Sequence, residues 1–423
     1  MSLNFQHSFD GAIVDADSLK KAGFVFDDIR DFRQKHIASN EPDDEGTYET
    51  VLNFSGILLN DQLDVFVAFP KKFAVGDVAE NTKLLFQVIS RHLQKRPNLY
   101  MGATRNPKLM TNFPFAAFYD IYDYYNHYGL YVERHSVTKP NINGKVNWKE
   151  TIRQSDKYVM NGKVTMFPFL YDKVYFYKNF ITDCMIYAIN YTISKLYFLI
   201  DLPPIPHEVE DETIFQNVDA VIAALYEERN VTYRDNIVQL IDHLIAYFKA
   251  LKEGTNFSIK HYAFASVWED MVAMYLAHYY KGIESTDDQL FKLAFHEQRQ
   301  GKIHFEKPVF HPNKRNARHY FQPDYYYVDD DAQFIFDAKY KNGIHGMDYK
   351  QIAYYLFLNE KREHEAALPA QKITYSALIL PAEKRESTIH FQMDPLYNKT
   401  NEHLIISEEY LDIKLLMEEY VKC

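Results

Sequence analysis

Two aspartates and a lysine near residue 330 have the types and spacing of a metal-dependent hydrolytic site. Asp324 and Asp337 flank two short apolar and aromatic segments that are joined by an acidic turn centred between Asp330 and Asp331. If the segments pair as a β-hairpin about that turn, Asp324 lies opposite Asp337, and Lys339 shares a face with Asp337. Opposed carboxylates repel unless a cation lies between them, and oxygen ligands favour Mg²⁺, with Mn²⁺ as a substitute. A metal-polarised water beside a lysine ammonium would suit phosphodiester hydrolysis.

The alternative for a bare Asp-x-Lys pattern is an exposed hairpin with solvated acids. The chain contains a second such pattern, Asp412-Ile413-Lys414, which we interpret as helix surface. Only the segment 323–339 combines a proline, two acids in opposed register and apolar strands, and this combination favours the metal site.

The pairing of Pro323-Asp324 with Asp337-Ala338-Lys339 resembles the motif of the PD-(D/E)XK nucleases. The resemblance implies a restriction-endonuclease-like domain, a mixed sheet flanked by helices, with Mg²⁺ bound by Asp324, Asp337 and the carbonyl of Ala338. It also implies that Lys339 orients and polarises the attacking water.

The resemblance extends downstream into a helix that we expect after Asp348. Asp348 is a residue type that favours the N-cap position, and Gln351 and Tyr355 lie four residues apart on one helix face. This pair is similar to the Gln-x-x-x-Tyr element that follows the lysine in many PD-(D/E)XK nucleases, which implies that Gln351 and Tyr355 position the bound strand or the lysine.

An amphipathic helix is predicted upstream, over residues 264–275. Its Glu269 corresponds to the acid of the first helix in the PD-(D/E)XK family, and Asp270 is the neighbouring candidate. A glutamate on such a face is either a further metal ligand or a salt-bridge partner, and the sequence leaves both open.

The chain is acidic overall, with a net charge of −11, so its local charge distribution bears more on nucleic acid binding than its total. Residues 302–319 contain five basic residues and one acid, Glu306, directly before the Pro-Asp strand. We expect these five to contact the DNA backbone: Lys302, Lys307, Lys314, Arg315 and Arg318. Residues 131–178 carry a net charge of +5, which indicates either a solvated sheet face or a second phosphate contact.

A narrower resemblance lies in the segment 144–153, Gly-Lys-Val-Asn-Trp-Lys-Glu-Thr-Ile-Arg. It is similar to a Gly-x-x-x-Trp-x-x-Thr-Ile element of the LlaJI-type restriction endonucleases and their McrC-like relatives, although Trp148 and Ile152 would also serve as core anchors. The resemblance implies cleavage of double-stranded DNA by a subunit that works with a GTP-hydrolysing, McrB-like AAA+ partner. The alternatives are a McrC-like subunit that cuts modified DNA and a non-catalytic adaptor of an AAA+ ring.

The whole-chain pattern predicts an α/β protein in three parts. These are an α+β domain over 1–110, a strand-rich and then helical region over 111–254 for partner or DNA contact, and the nuclease domain over 255–423, with the last boundary near Gly254. Two cysteines and the polar N-terminus predict a cytoplasmic protein, and charged residues in the most apolar run argue against a membrane span. The chain has no Walker A loop, no Gly-x-Ser-x-Gly elbow and no His-Glu-x-x-His pair, which excludes the corresponding NTPases and hydrolases.

Overall fold

A computed structural model describes residues 3–37, 47–95, 108–209, 211–252, 257–285, 291–364, 373–397 and 404–422. Contacts between residues divide the chain into two compact units. Unit 1 combines residues 1–112 with residues 256–423, and unit 2 comprises residues 113–255.

Unit 1 begins with an α+β region. Its described elements are β1 (Asn4–Phe9), α1 (Ala16–Lys21), β2 (Phe32–Ile37), β3 (Thr47–Leu52), β4 (Ser55–Leu59), β5 (Asp64–Phe69), α2 (Val78–Lys95) and β6 (Leu109–Thr111). A turn at Asn60-Asp61 joins β4 to β5, and the Asn60 side chain closes it by accepting the N–H groups of Gln62 and Asp64 at 3.0 and 2.8 Å. The apolar face of α2 is buried.

Unit 2 begins with a helix, continues with strands that flank a short second helix, and ends with helices. Its described elements are α3 (Phe115–Tyr128), β7 (Glu133–Pro140), β8 (Lys145–Val146), α4 (Trp148–Gln154), β9 (Asp156–Met160), β10 (Lys163–Phe167), β11 (Leu170–Tyr177), α5 (Phe180–Lys195), a 3₁₀ turn (Glu212–Gln216), α6 (Val218–Val231) and α7 (Asp235–Lys252). The β9–β10 hairpin turns at Asn161-Gly162, where both residues have positive φ, as a type I′ turn requires. Asn217 separates the 3₁₀ turn from α6, because its side chain accepts the N–H of Ala220 and caps α6.

The chain then returns to unit 1. The described elements of this part are β12 (Phe257–His261), α8 (Phe264–Tyr279), β13 (Tyr280–Ser285), β14 (Phe291–Phe295), β15 (Tyr325–Val328), β16 (Ala332–Ala338), α9 (Tyr349–His364), β17 (Ile373–Ala382), β18 (Glu386–Gln392), a 3₁₀ turn (Pro395–Tyr397), β19 (Ile405–Asp412) and α10 (Ile413–Lys422). Five strands form a mixed sheet in the order β15-β16-β17-β19-β18. β16, β17 and β19 are parallel, and the two edge strands are antiparallel to their neighbours. Helices α8 and α9 both contact β16, so the mixed α/β class predicted from the sequence is confirmed.

The division of unit 1 differs from the three-part division expected from the sequence. β12 lies after unit 2 in the chain, yet it pairs with β4 and β6 in a sheet ordered β1-β5-β4-β12-β6. Gly56 permits this pairing, because a Cβ there would lie 2.1 Å from the carbonyl oxygen of Ile259. Residues 1–110 and 255–423 therefore share one sheet, while the boundary expected near Gly254 falls outside the described residues.

Across the described part of the chain, none of the helices combines the length and the apolar character needed to cross a bilayer.

Candidate active site

The β15–β16 hairpin has the register that the sequence predicts. Tyr325 pairs with Phe336, which places Asp324 and Asp337 at the next opposed positions. The turn is closed by Asp329, whose carboxylate accepts the N–H of Ala332 at 2.7 Å.

Successive side chains of β16 point to opposite faces of the sheet, so only every second one can reach the site. Phe334 and Phe336 contact the ring of Tyr280, whereas Ile335 packs in a cluster with Tyr354 and Leu358 of α9. Asp337 follows Ile335 with period two and therefore lies on the α9 side.

Asp337 is almost completely buried, with 1% of its surface exposed, and two lysines contact it. Lys339 Nζ lies 2.7 Å from Asp337 Oδ2, and Lys350 Nζ lies 3.2 Å from Oδ1. Burial raises the pKa of the Asp337 carboxyl, the charge of Asp324 raises it further, and the two lysines oppose the rise. Lys350 was not predicted as a site residue. The only indication of such a role in the sequence was its position beside Gln351 in the first turn of the predicted helix.

Asp348 links the helix to the lysine. Its Oδ1 accepts the N–H of Gln351 at 3.0 Å, so it caps α9 as predicted, and its Oδ2 lies 3.3 Å from Lys339 Nζ. Burial opposes ionisation of Asp348, but the Gln351 N–H and the charge of Lys339 together hold its pKa below the ordinary value. Lys339 is thus held between two carboxylates, and the second of them was predicted only as a helix cap.

Gln351 and Tyr355 lie in the interior, behind the site. Gln351 has no exposed surface, and its Nε2 donates to Ile335 O at 2.9 Å and to Ser376 Oγ at 2.8 Å. Tyr355 packs in an apolar cluster that includes Leu378. Both side chains therefore hold α9 against the sheet, and Gln351 acts on the strand that carries Asp337.

Of the two acids on α8, Glu269 faces Asp324. Tyr325 donates its hydroxyl hydrogen to Glu269 O at 2.7 Å, which docks β15 onto α8 beside Asp324. The neighbouring Asp270 instead lies 2.7 Å from Nδ1 of the buried His92 in α2.

Lys307 bridges the two acids that the hairpin and α8 bring together. Its Nζ lies 2.7 Å from Asp324 Oδ1 and 3.3 Å from Glu269 Oε2. The other oxygen of Asp324, Oδ2, accepts the N–H of Ala338 at 3.1 Å, which places the Ala338 peptide at the site. Burial would lower the pKa of the Lys307 ammonium, but the hydrogen bond and charge of Asp324, supported by Glu269, raise it overall.

The donor set fits a divalent cation that keeps much of its hydration. Within the described residues, no three His, Cys, Asp or Glu side chains are grouped closely enough to bind a metal by themselves. Mg²⁺, however, is usually held by one or two carboxylates together with waters and substrate phosphates. Oxygens of Asp324 and Glu269 already converge on one cation, the ammonium of Lys307, so their placement suits a metal ion as well.

A cleft of about 640 Å³ in unit 1 adjoins Asp324 and Glu269. Most of its polar lining is basic, and these side chains are Arg91, Lys95, His278, Arg299, Lys302, His304 and Lys307. Two of the predicted DNA-contacting residues, Lys302 and Lys307, are among them. Arg91 and Lys95 belong to α2, and no sequence signal connects that helix with the hairpin.

The other three predicted DNA-contacting residues lie on a separate exposed loop. We call Lys314, Arg315 and Arg318 the basic loop; all three are exposed, and none lines the cleft. Backbone bonds between Phe310 and Phe321, at 2.9 and 3.0 Å, close the base of this loop. The basic loop is therefore anchored beside the sheet but remains apart from the acids.

The segment 131–178 forms the small sheets of unit 2. Trp148 is 59% exposed and Ile152 is 48% exposed, so neither is a core anchor. Thr151 of the same helix is buried instead, and its hydroxyl accepts the N–H of Leu170 at 3.0 Å.

Two solved structures show a weak likeness to the chain. McrC bound to the McrB AAA+ hexamers of Thermococcus gammatolerans is 11% identical, covers 99% of both chains and gives a TM-score of 0.34. A chain of the McrBC complex of the same organism is 10% identical to this protein. The match covers 66% of this chain and 90% of that chain, with a TM-score of 0.23. These scores are too low to establish a shared fold.

No curated protein matches the chain. The family model described as LlaJI restriction endonuclease matches residues 54–391, which span most of the sequence and include every acid and lysine of the candidate site. The resemblance of the segment 144–153 to the LlaJI-type restriction endonucleases is thereby confirmed, and the chain belongs to the LlaJI restriction endonuclease family.

Proposed function

We propose that this chain is an Mg²⁺-dependent DNA endonuclease with a PD-(D/E)XK-type site, acting as the nuclease subunit of a restriction system. The observation that carries the proposal is the meeting of Asp324 with Glu269 at a basic cleft, together with the contact of Asp337 with Lys339 on the neighbouring strand. Membership of a restriction endonuclease family supports the same reaction class.

The roles of the acids follow from their surroundings. The proposed ligands are Asp324, Asp337 and the carbonyl of Ala338, with Glu269 joining them. Bound waters would complete the coordination, because no three of the described acids are grouped closely enough to do so alone. A bound Mg²⁺ would neutralise charge on the scissile phosphate and acidify a water molecule. Burial of Asp337 strengthens its electrostatic interactions, because little water screens its charge.

Lys339 supplies the hydrogen-bond donor for the attacking water. Its ammonium is fixed by Asp337 at 2.7 Å and Asp348 at 3.3 Å, which leaves its third N–H for the water. Gln351 positions this group indirectly, because it bonds to the β16 backbone two residues before Asp337.

Double-stranded DNA is the proposed substrate, and the cleft and the basic loop are its proposed backbone contacts. Lys and Arg side chains bind phosphates without regard to sequence, so these contacts would position the duplex and leave the target sequence undefined.

A separate AAA+ motor, hydrolysing GTP, is the proposed partner. The chain has no phosphate-binding loop of its own, and the segment 144–153 of unit 2 resembles subunits that work with such a motor. The exposed Trp148 and Ile152 in this segment are available for contact with another chain.

The test is cleavage of plasmid DNA by the full chain with Mg²⁺, with and without GTP or ATP and the motor subunit. Asp324→Asn, Asp337→Asn and Lys339→Met should each abolish cleavage. Asp412→Asn is the matched control, because Asp412 and Lys414 repeat the Asp-x-Lys spacing where β19 meets α10.

Cleavage retained by both Asp324→Asn and Asp337→Asn would refute the site. A wild-type chain that stimulates the motor's NTP hydrolysis but cuts no DNA under any of these conditions would identify it as an adaptor.

A further inference from the structure

The main chain of Lys307 is fixed, while its side chain reaches into the site. Glu306 and Tyr326 exchange both backbone hydrogen bonds at 2.8 Å, and Gln322 Nε2 donates to Lys307 O at 3.0 Å. These contacts hold residue 307 beside the start of β15 whatever its side chain is. The ammonium then lies within hydrogen-bonding distance of Asp324 Oδ1.

We propose that Lys307 and the divalent cation compete for the same oxygens of Asp324 and Glu269, and that the released Lys307 binds a DNA phosphate in the adjoining cleft. The inference rests on the proposed function and adds a coupling between its two ligands. Two cations that share these oxygens would repel each other strongly, so the ammonium has to leave when the metal ion binds.

The surroundings of Lys307 permit this exchange. Its side chain is 47% exposed, its four-carbon stem is flexible, and it lines the cleft that we assign to the DNA backbone. Lys339 differs because only 16% of its side chain is exposed and two carboxylates hold it. Of these two lysines, Lys307 is therefore placed to move and Lys339 is placed to stay.

The consequence is positive coupling between metal and DNA. A bound metal frees Lys307 for a phosphate, and a bound phosphate draws Lys307 away from the acids. Each ligand then raises the affinity for the other by the same factor.

The first experiment measures Mn²⁺ binding to the full chain without DNA, by the electron paramagnetic resonance signal of free Mn²⁺. Lys307→Met should bind Mn²⁺ about tenfold more tightly than the wild type, since two partly exposed ion pairs no longer compete. Lys302→Met removes the same charge from the same cleft, contacts neither acid in the structure, and controls for the general electrostatic effect. Lys307→Arg keeps the charge and should bind as weakly as the wild type.

The second experiment repeats the titration with a double-stranded oligonucleotide, in a Lys339→Met background that prevents cleavage. DNA should raise Mn²⁺ affinity less in the Lys307→Met variant than in its parent, and Lys302→Met should retain the full coupling. Mn²⁺ affinity in Lys307→Met that matches Lys302→Met, with unchanged coupling to DNA, would overturn the inference while leaving the nuclease proposal intact. A wild-type chain that binds no Mn²⁺ with or without DNA would overturn both.

Discussion

Asp348 performs two tasks that a pair of substitutions separates. Its Oδ1 caps α9 through the N–H of Gln351, and its Oδ2 faces the ammonium of Lys339. Asp348→Asn keeps an oxygen for the cap and removes the charge, whereas Asp348→Ala removes both. The two variants together measure the cap and the charge independently.

The expected costs follow from these contacts. Loss of an N-cap side chain destabilises by about 1 kcal/mol. Loss of a negative charge at a helix N-terminus costs about 0.3–1 kcal/mol, and the ion pair with Lys339 adds up to about 1 kcal/mol. We therefore expect Asp348→Asn to lower the free energy of unfolding by about 1 kcal/mol, and Asp348→Ala by about 2 kcal/mol.

The charge contribution should also depend on pH. The pKa of Asp348 is held below its ordinary value of 3.8, so its stabilising charge is present above that pH and is lost as the pH falls through the lower, folded-state pKa. The difference between wild type and Asp348→Asn should shrink as the pH falls below 3.8, while the cost of Asp348→Ala relative to Asn should persist.

Urea unfolding and plasmid cleavage provide the two measurements. Cleavage by Asp348→Asn should fall about 10- to 100-fold, the usual effect of removing a group that orients a metal-site residue. Equal stability of the Asn and Ala variants would refute the cap, and wild-type cleavage by Asp348→Asn would refute the orientation of Lys339.

Three further predictions concern the interior, the pH dependence and DNA binding. Gln351→Leu should lower the free energy of unfolding in urea by about 1–3 kcal/mol, because Ile335 O and a serine hydroxyl lose their donor. The change also removes Gln351 Oε1, which has no hydrogen-bond partner among the described residues. Unchanged stability would contradict this contact. Burial raises the pKa of the Glu409 carboxyl to about 7 from an ordinary 4.5. The free energy of unfolding of the wild type should therefore fall as the pH rises between these two values. The stability of Glu409→Gln relative to wild type should thus increase by up to about 3 kcal/mol between pH 4 and pH 8, and a pH-independent difference would exclude the shifted pKa. Changing the three residues of the basic loop to Gln should flatten the dependence of log DNA affinity on log salt by up to about three phosphate equivalents, and an unchanged slope would remove the loop from the interface.

The hairpin of the candidate site was predictable because its determinants are local. Period-two alternation and an acidic turn set the register, and the register places Asp324, Asp337 and Lys339. The capping role of Asp348 was predictable for the same reason, since an N-cap side chain bonds to an N–H three residues later.

The organisation of unit 1 was beyond sequence reasoning. β12 follows unit 2 in the chain, yet it completes a sheet whose strands β1, β4 and β5 precede unit 2. Pairing between strands that are distant in the sequence leaves no periodic pattern of residues. The same holds for Arg91 and Lys95, which line the cleft because α2 packs against α8 and α10.

The family of this protein and the local geometry of its candidate site can be read from the sequence: two acids in opposed register, a lysine on the same face and a family-specific element in unit 2. Which charges surround those acids depends instead on how distant elements pack in the folded chain. The sequence predicted Lys307 as a DNA contact, but its ammonium pairs with Asp324 and Glu269 because a backbone bridge beside β15 holds it there. Lys350 reaches Asp337 because α9 packs on β16. Strand register depends on neighbours in sequence, whereas the destination of a long charged side chain depends on which elements pack together in space.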